Sequence, residues 1–318
     1  MMRKRHNQVL AGLLVVQVIL IAVVFWPRPA ATGGGPLLAG FQAANVTFLT
    51  VRDNQGNSVA LEKVNGAWVL PDAGDYPTQA GKVDTLLAKL AALSTARLAT
   101  RTAASHKQLQ VGPDSYLRQV EIEMADGTFQ RLLVGSAAAY STAYVRLDGH
   151  DAVYLVGLTT SDLPAVLSGW VDPVYLQVPA ADVTAIEVRN ASGTLVFTRP
   201  LAGTWSLAGL PAGETLDQAK VGTLLQQVTT VRLARPLGTE DRPEYGMAGP
   251  LAVVTIRTAG QEVVLTVGAQ DPDLSYVVRS SESPYYVRVA GSALRDVVEK
   301  GVDGYLVPPP TATPAATP

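Results

Sequence analysis

The chain carries one phrase twice. NGAWVL at residues 65–70 is followed, after a short loop, by KVDTLLAKL at 82–90, and AGTWSL at 202–207 is followed by KVGTLLQQV at 220–228. An internal repeat limits the fold more than any single motif does, because one architecture must form twice from two similar segments. The match extends outward. NVTFLTVRDNQGN (45–57) runs against DVTAIEVRNASGT (182–194), and ARL (96–98) against VRL (231–233). LLVG (132–135) runs against LTVG (265–268), and YVRLDGHDAVYLV (144–156) against VVRSSESPYYVRV (277–289). Each copy closes on a similar phrase, WVDPVYL (170–176) and GVDGYL (301–306).

Local periodicity assigns the elements. Val83, Leu86, Leu87, Leu90 and Leu93 recur at helical spacing, as do Val221, Leu224, Leu225, Val228 and Val231, so each copy should hold an amphipathic helix. Thr215 with Gln218 resembles a capping box at the second of these. VEIEM (120–124) alternates apolar and acidic residues, the period of a half-buried strand. TTSDLPAVLSGW (159–170) and GSALRDVVEKGV (291–302) are the expected second helices. Trp68 and Trp205 are expected to anchor the helical stripes to the sheets. Strands joined by short turns should pair antiparallel. The predicted class is therefore α+β: two tandem homologous repeats, each a mainly antiparallel sheet with two helices, after one N-terminal transmembrane helix. The predicted divisions are a cytoplasmic flank at 1–8, an anchor at 9–26 and a Pro/Gly tether at 27–44. The first repeat follows at 45–176, the second at 177–306, and a Pro/Thr/Ala tail at 307–318.

This layout resembles a bacterial family known as domain of unknown function 4340. The resemblance rests on the W-x-L phrases at 68–70 and 205–207, the V-x-x-L-L helices, EYGMAGP (244–250), the VG strand ends, YVR at 144–146 and the closing VD phrases. It covers nearly all of residues 45–306, in two copies. The first copy departs at QLQVGPDSY (108–116), which lacks the pair Tyr245–Gly246. The resemblance implies an extracytoplasmic module, similar to the outer portion of gliding-motility or auxiliary ABC-transporter components, with no established catalytic residues.

The N-terminus adds a placement. Residues Val9 to Trp26 are apolar apart from Gln17. About 18 helical residues rise roughly 27 Å, close to a hydrocarbon core of ~30 Å. Arg3, Lys4 and Arg5 precede the run and would hold the N-terminus in the cytoplasm, leaving a single-pass cell-membrane protein with an extracytoplasmic body. Cleavage near Ala30–Ala31 is the alternative. With Arg3, Lys4, Arg5 and Arg28 set aside, 21 of the 25 basic residues remain against 27 acidic ones. So mildly acidic a body does not suit a phosphate backbone, and no nucleic-acid partner is expected. The tail PPPTATPAATP (308–318) reads as extended and low in complexity.

Chemistry is sparse. The chain has no cysteine, which removes thiolate catalysis, disulfides and cysteine-based metal sites. His6 lies in the basic flank, and His106 and His150 lie in polar segments without a second histidine at ligand spacing. Gly81-Lys82 is followed by Val83 where a phosphate loop needs Ser or Thr. Asp271, Asp273, Ser275 and Glu282 fall at calcium-loop positions, but Tyr276 stands where that loop demands glycine. Glu240, Asp241 and Glu244, with Arg242 among them, read as a charge-paired turn. Asn45 and Asn190 sit in sequons at matching places in the repeat. No catalytic, cofactor-binding or metal-binding residue is assigned, and no cofactor is expected. The expected function is non-enzymatic: a membrane-anchored, extracytoplasmic module that binds a partner protein or envelope polymer, as an accessory of an ABC-type transport or gliding-type surface complex. The alternatives are a carboxylate-based envelope hydrolase and a solute-sensing ectodomain that acts through a partner.

Overall fold

The structure is a computed structural model that describes residues 34–201 and 203–308. The first unit runs β1 (Val46–Asp53), β2 (Ser58–Val64), β3 (Ala67–Leu70), β4 (Tyr76–Pro77), helix α1 (Lys82–Ala91) and β5 (Leu98–Thr100). Then come β6 (Val111–Gly112), β7 (Ser115–Tyr116), β8 (Arg118–Met124), β9 (Phe129–Ala139), β10 (Thr142–Leu147) and β11 (Val153–Val156). Strand β12 (Val174–Gln177) leads into β13 (Val183–Asn190), β14 (Gly193–Thr198), β15 (Ser206–Leu207), helix α2 (Gln218–Thr229), β16 (Thr230–Arg232) and β17 (Arg235–Gly238). The chain ends through β18 (Ala252–Thr258), β19 (Glu262–Gln270), β20 (Tyr276–Ser280), β21 (Tyr286–Val289) and helix α3 (Gly291–Glu299).

The first sheet has the order β4-β3-β2-β1-β8-β9-β10-β11-β5, and the second β15-β14-β13-β18-β19-β20-β21-β17. Apart from β4 the two orders correspond strand for strand. They share a bulge as well: β1 slips register between Val46 and Phe48 against β8, and β13 between Val183 and Ala185 against β18.

Alternation along the strands explains why each sheet has one buried face. Val120, Ile122, Leu132, Val134 and Val145 are buried with Leu49 and Val51, in one core with Val83, Leu86, Leu87 and Leu90 of α1. Burying a side chain of this size contributes about 1.5–3 kcal/mol. The opposite face is laced with charge. Arg131 meets Glu121 at 2.9 Å and Asp148 at 3.0 Å. In the second unit Glu187 meets Arg189 at 2.6 Å and Arg257 at 3.4 Å. Antiparallel sheets commonly turn one face to water in this way.

The expected α+β class, with two helices in each repeat, is overturned: the described residues are mostly antiparallel sheet, and the first unit has one α-helix. Residues 159–170 form two short 3-10 turns, Thr160–Asp162 and Leu167–Gly169. Pro164 is the cause, since proline lacks an N–H and disfavours helical backbone in the residue before it. Leu163 accordingly sits at φ −126°, ψ 61°. The Asp162 carboxylate closes the first turn by accepting from the Thr159 N–H and hydroxyl, each at 2.9 Å. Leu158, Leu163, Ala165 and Trp170 still reach the core. In the second unit α3 contains no proline, and it lies beside α2 over β13 and β18.

The expected anchor at 9–26 lies outside the described residues. Among the described residues no helix is long and apolar enough to cross a membrane. The transmembrane segment, the membrane contact through it and the single-pass placement are therefore not supported. Residues 309–318 also lie outside the described residues. Within the expected tether, Leu37 and Leu38 are buried in the core, and Pro36 bridges to Ser94.

Register corrects two of the sequence matches. Leu98 pairs with Tyr154 and Thr100 with Val153, as Pro236 pairs with Val287 and Gly238 with Tyr286. Residues 83–100 thus run against 221–238 without a gap, and Ala96 corresponds to Ala234 rather than Val231. The Gln79 N–H donates to the Trp170 carbonyl at 2.7 Å, as the Asp217 N–H donates to that of Tyr305 at 2.8 Å. The counterpart of Trp170 is therefore Tyr305, not Gly301, and both side chains are fully buried. The divergent loop of the first unit keeps its shape. Gln110 takes φ 56° where Gly246 takes 66°. A Cβ on Gly135 would lie 2.0 Å from the Leu109 carbonyl, and one on Gly268 2.0 Å from that of Tyr245.

Candidate functional site

The best-built polar constellation is the junction between the units. A strap carries the chain across it: β12 pairs with β16, and the Leu233 N–H donates to the Pro173 carbonyl at 2.9 Å. Tyr175, on the strap, accepts from the Ser280 N–H at 2.9 Å and donates to the Tyr285 carbonyl at 2.7 Å. The Tyr285 hydroxyl then donates to the Asp75 carbonyl at 2.9 Å, back in the first unit. Its ring meets Tyr76 edge-on, with centroids 4.7 Å apart. Burial, with Tyr175, Asp172 and Tyr285 nearby, pushes the Tyr76 phenol up to about 12, so it stays neutral at physiological pH.

The backbones touch at the same place. Gly74 (φ 66°) follows the 3-10 turn Pro71–Ala73, and Gly238 (φ 96°) ends β17. A Cβ on Gly74 would stand 2.8 Å from the Gly238 Cα and 3.2 Å from the Thr239 nitrogen. Glycine is needed at Gly74 for its left-handed conformation and for this close approach.

Two of the cavities among the described residues hold carboxylates. One, of about 440 Å³, lies beside the start of α1 and is lined by Gln79, Lys82, Thr85, Leu86, Lys89 and Asp162 among others. Lys89 Nζ lies 2.5 Å from Asp162 Oδ1. Burial raises the Asp162 carboxyl, but Lys89 and the Thr159 donors outweigh it and hold the group below its ordinary range. The other cavity, of about 360 Å³, lies along the strap and includes Tyr175, Asp182, Gln261 and Glu282 in its lining.

The residues singled out in the sequence mostly serve the fold. Trp68 and Trp205 are buried, with Lys63 5.9 Å and Arg199 4.6 Å from their ring centroids. The expected Thr215–Gln218 capping box does not form. Asp217 caps α2, accepting from the Ala219 and Lys220 N–H groups. Gln218 instead clamps the Trp205 backbone, accepting from its N–H at 2.9 Å and donating to its carbonyl at 3.0 Å.

His106 Nε2 lies 2.9 Å from the Asp151 carbonyl, and His150 Nδ1 lies 3.2 Å from that of Asp148. Both histidines thus bond to the turn between β10 and β11. Asp271 pairs with the buried Arg288, and Asp273 accepts from the Ser275 N–H and hydroxyl. Glu240, Asp241, Arg242 and Glu244 are all exposed, and Lys82 lines the first cavity. Asn190 donates its amide to the Val297 and Lys300 carbonyls. Among the described residues no three His, Cys, Asp or Glu side chains are grouped to hold a metal.

Sequence reasoning missed Gly74, Tyr76, Tyr175, Gly238 and Tyr285. Their only signal is that the repeats differ there: Leu37 stands for Tyr175, Ala152 for Tyr285 and Thr100 for Gly238.

Comparison with known proteins identifies one family. A family model described as "Domain of unknown function (DUF4340)" matches residues 68–250 as a single stretch that runs from the first unit, across the strap, into the second. No curated protein and no solved structure matches the chain. The match spans more than half of the sequence, and the chain belongs to this family.

Proposed function

We propose that this DUF4340 protein is a non-enzymatic binding module, made of two tandem copies of one unit, that engages a partner protein as an accessory of a transport or surface complex. The observation that carries the reading is the junction. The units meet through touching backbone at Gly74 and Gly238 and through a tyrosine chain from Ser280 to Asp75. Such a joint holds two sheets in fixed relation, which suits a scaffold that presents surfaces. It does not suit a clamp that closes over a substrate, because closure needs a hinge between the moving bodies. The test is in-cell crosslinking of the full-length chain, followed by mass spectrometry of the captured species. One partner recovered in constant proportion, at constant crosslinked positions, supports the reading; crosslinks scattered over unrelated proteins refute it.

A carboxylate hydrolase is the second reading, favoured by the cavity whose lining includes both Asp182 and Glu282. It requires that the purified chain turn over a glycan or ester, and that Asp182→Asn or Glu282→Gln abolish turnover with the melting temperature unchanged.

A further inference from the structure

The outer edge of the second sheet is covered, and among the described residues that of the first is bare. Strand β17 lies under the first unit, with Gly238 against Gly74. Its counterpart β5 pairs with β11 in the same register, yet Leu98 is 44% exposed where the second unit has the buried Pro236; Arg97 is exposed, as Arg235 is at the matching place. The strap is repeated too. The Thr95 N–H donates to the Gly35 carbonyl at 3.0 Å, as the Leu233 N–H donates to that of Pro173 at 2.9 Å. The first unit therefore carries the strap and the edge of a junction, with no second body on that edge among the described residues.

Differences between the two edges indicate what would fit. Tyr285, which reaches across the existing junction, is replaced by the partly exposed Ala152, so any ring at this place must come from the incoming body. Gly238 is replaced by Thr100, whose side chain keeps the two backbones further apart. Arg97 and Arg101 flank Leu98, and among the described residues neither makes an ion pair. The segment that fills the existing junction is acidic and aromatic: Pro71-Asp72-Ala73-Gly74-Asp75-Tyr76. The corresponding turn of the second unit, Ala208-Gly209-Leu210-Pro211-Ala212-Gly213, has neither an acid nor an aromatic ring, and the Pro71–Tyr76 turn of a second copy is already taken up in that copy's own junction, so a second copy of the chain would not supply the missing piece.

We infer that the β5 edge of the first unit binds a partner protein through an acidic turn bearing an aromatic residue, which lies against Leu98 between Arg97 and Arg101 and brings its ring to Ala152. Opposite charge steers such a turn and fixes its orientation, and the apolar centre supplies the affinity. The inference rests on the binding reading above and names the surface that reading uses.

The probe is a cyclised peptide copy of residues 70–77, the turn that fills the existing junction. It is titrated into isotope-labelled full-length chain and followed by backbone amide spectra. Saturable shifts at 97–101 and 152–155 are expected. Arg97→Glu should weaken binding about tenfold, a loss of about 1.4 kcal/mol. Leu98→Arg, at an exposed position, should abolish it, and each variant's melting curve checks that the fold is intact. A peptide with Asp72→Lys, Asp75→Lys and Tyr76→Ser should not bind. The inference is overturned by no shift up to about 2 mM peptide, by shifts confined to 235–239 and 285, or by indifference to Arg97→Glu. Crosslinks to a partner that all fall away from this edge would overturn it while leaving the binding reading in place; loss of any defined partner removes both.

Discussion

Gly74→Ala puts one methyl group into the junction, and its cost can be worked from the geometry. At φ 66° an L-residue sits in the left-handed region, which costs about 1–2 kcal/mol. The smaller entropy of the unfolded alanine chain offsets about 0.4–1 kcal/mol of that. The methyl would also stand 2.8 Å from the Gly238 Cα and 3.2 Å from the Thr239 nitrogen. Both are backbone atoms that cannot rotate away, and overpacking of this kind costs about 1–3 kcal/mol. The sum is about 1–5 kcal/mol. Gly66→Ala is the control: its φ is 84°, and no neighbouring heavy atom lies within 4 Å of where its Cβ would stand. It bears the conformational part alone, about 1 kcal/mol. For a body of this size 1 kcal/mol moves the melting temperature by about 2–4 °C. Circular-dichroism melting of the full-length chain should therefore place Gly66→Ala within about 4 °C of wild type, and Gly74→Ala roughly 2–12 °C lower still from its steric part. Equal shifts in the two variants would refute the junction, since the steric part would then be absent.

Three further outcomes follow from named residues. Trp68→Ala should cost about 3–5 kcal/mol, from lost transfer energy plus the cavity left behind. Because the two units share one core and meet at the junction, calorimetry should show one lowered transition; two separate transitions would contradict that coupling. Gln110→Gly, at φ 56°, should stabilise the chain by up to about 1 kcal/mol, and a lower melting temperature would refute backbone strain as the dominant effect at this position. Asp162 has a folded pKa below its ordinary value, so its contribution is present above the unfolded carboxylate range and fades as pH falls through the folded value. Asp162→Asn should thus melt below wild type at pH 7 and converge with it once the pH has fallen below the folded value, whereas a gap that persists in acid would assign the loss to packing.

How much of this fold was readable depends on whether a signal is local. The stripe Val83–Leu87–Leu90 and the alternation in VEIEM needed only neighbouring residues, and both place side chains in the core where periodicity put them. The second helix of the first unit failed for a reason also visible locally: Pro164 stands inside TTSDLPAVLSGW, and the likeness to residues 291–302 outweighed it. The register after α1 failed because the shared Arg-Leu of ARL and VRL drew the match away from a gapless alignment that only strand pairing fixes.

The junction was illegible for a deeper reason. Its bonds join residues far apart in sequence, such as Tyr285 to Asp75, and no periodicity records such a pair. A repeat comparison also favours positions that agree, and agreement reports what both units need alone: a core, a bulge, a turn over Gly135 and Gly268. An asymmetric contact between two like units must instead be written where they differ, because a residue common to both edges would let either edge accept either turn. Gly238 against Thr100, Tyr285 against Ala152 and the acidic turn against Ala208–Gly213 are differences of this kind. The same logic applies to a partner from outside. A surface that discriminates between bodies should be sought among the unmatched residues of the exposed edge, and Leu98, Thr100 and Ala152 are three of them.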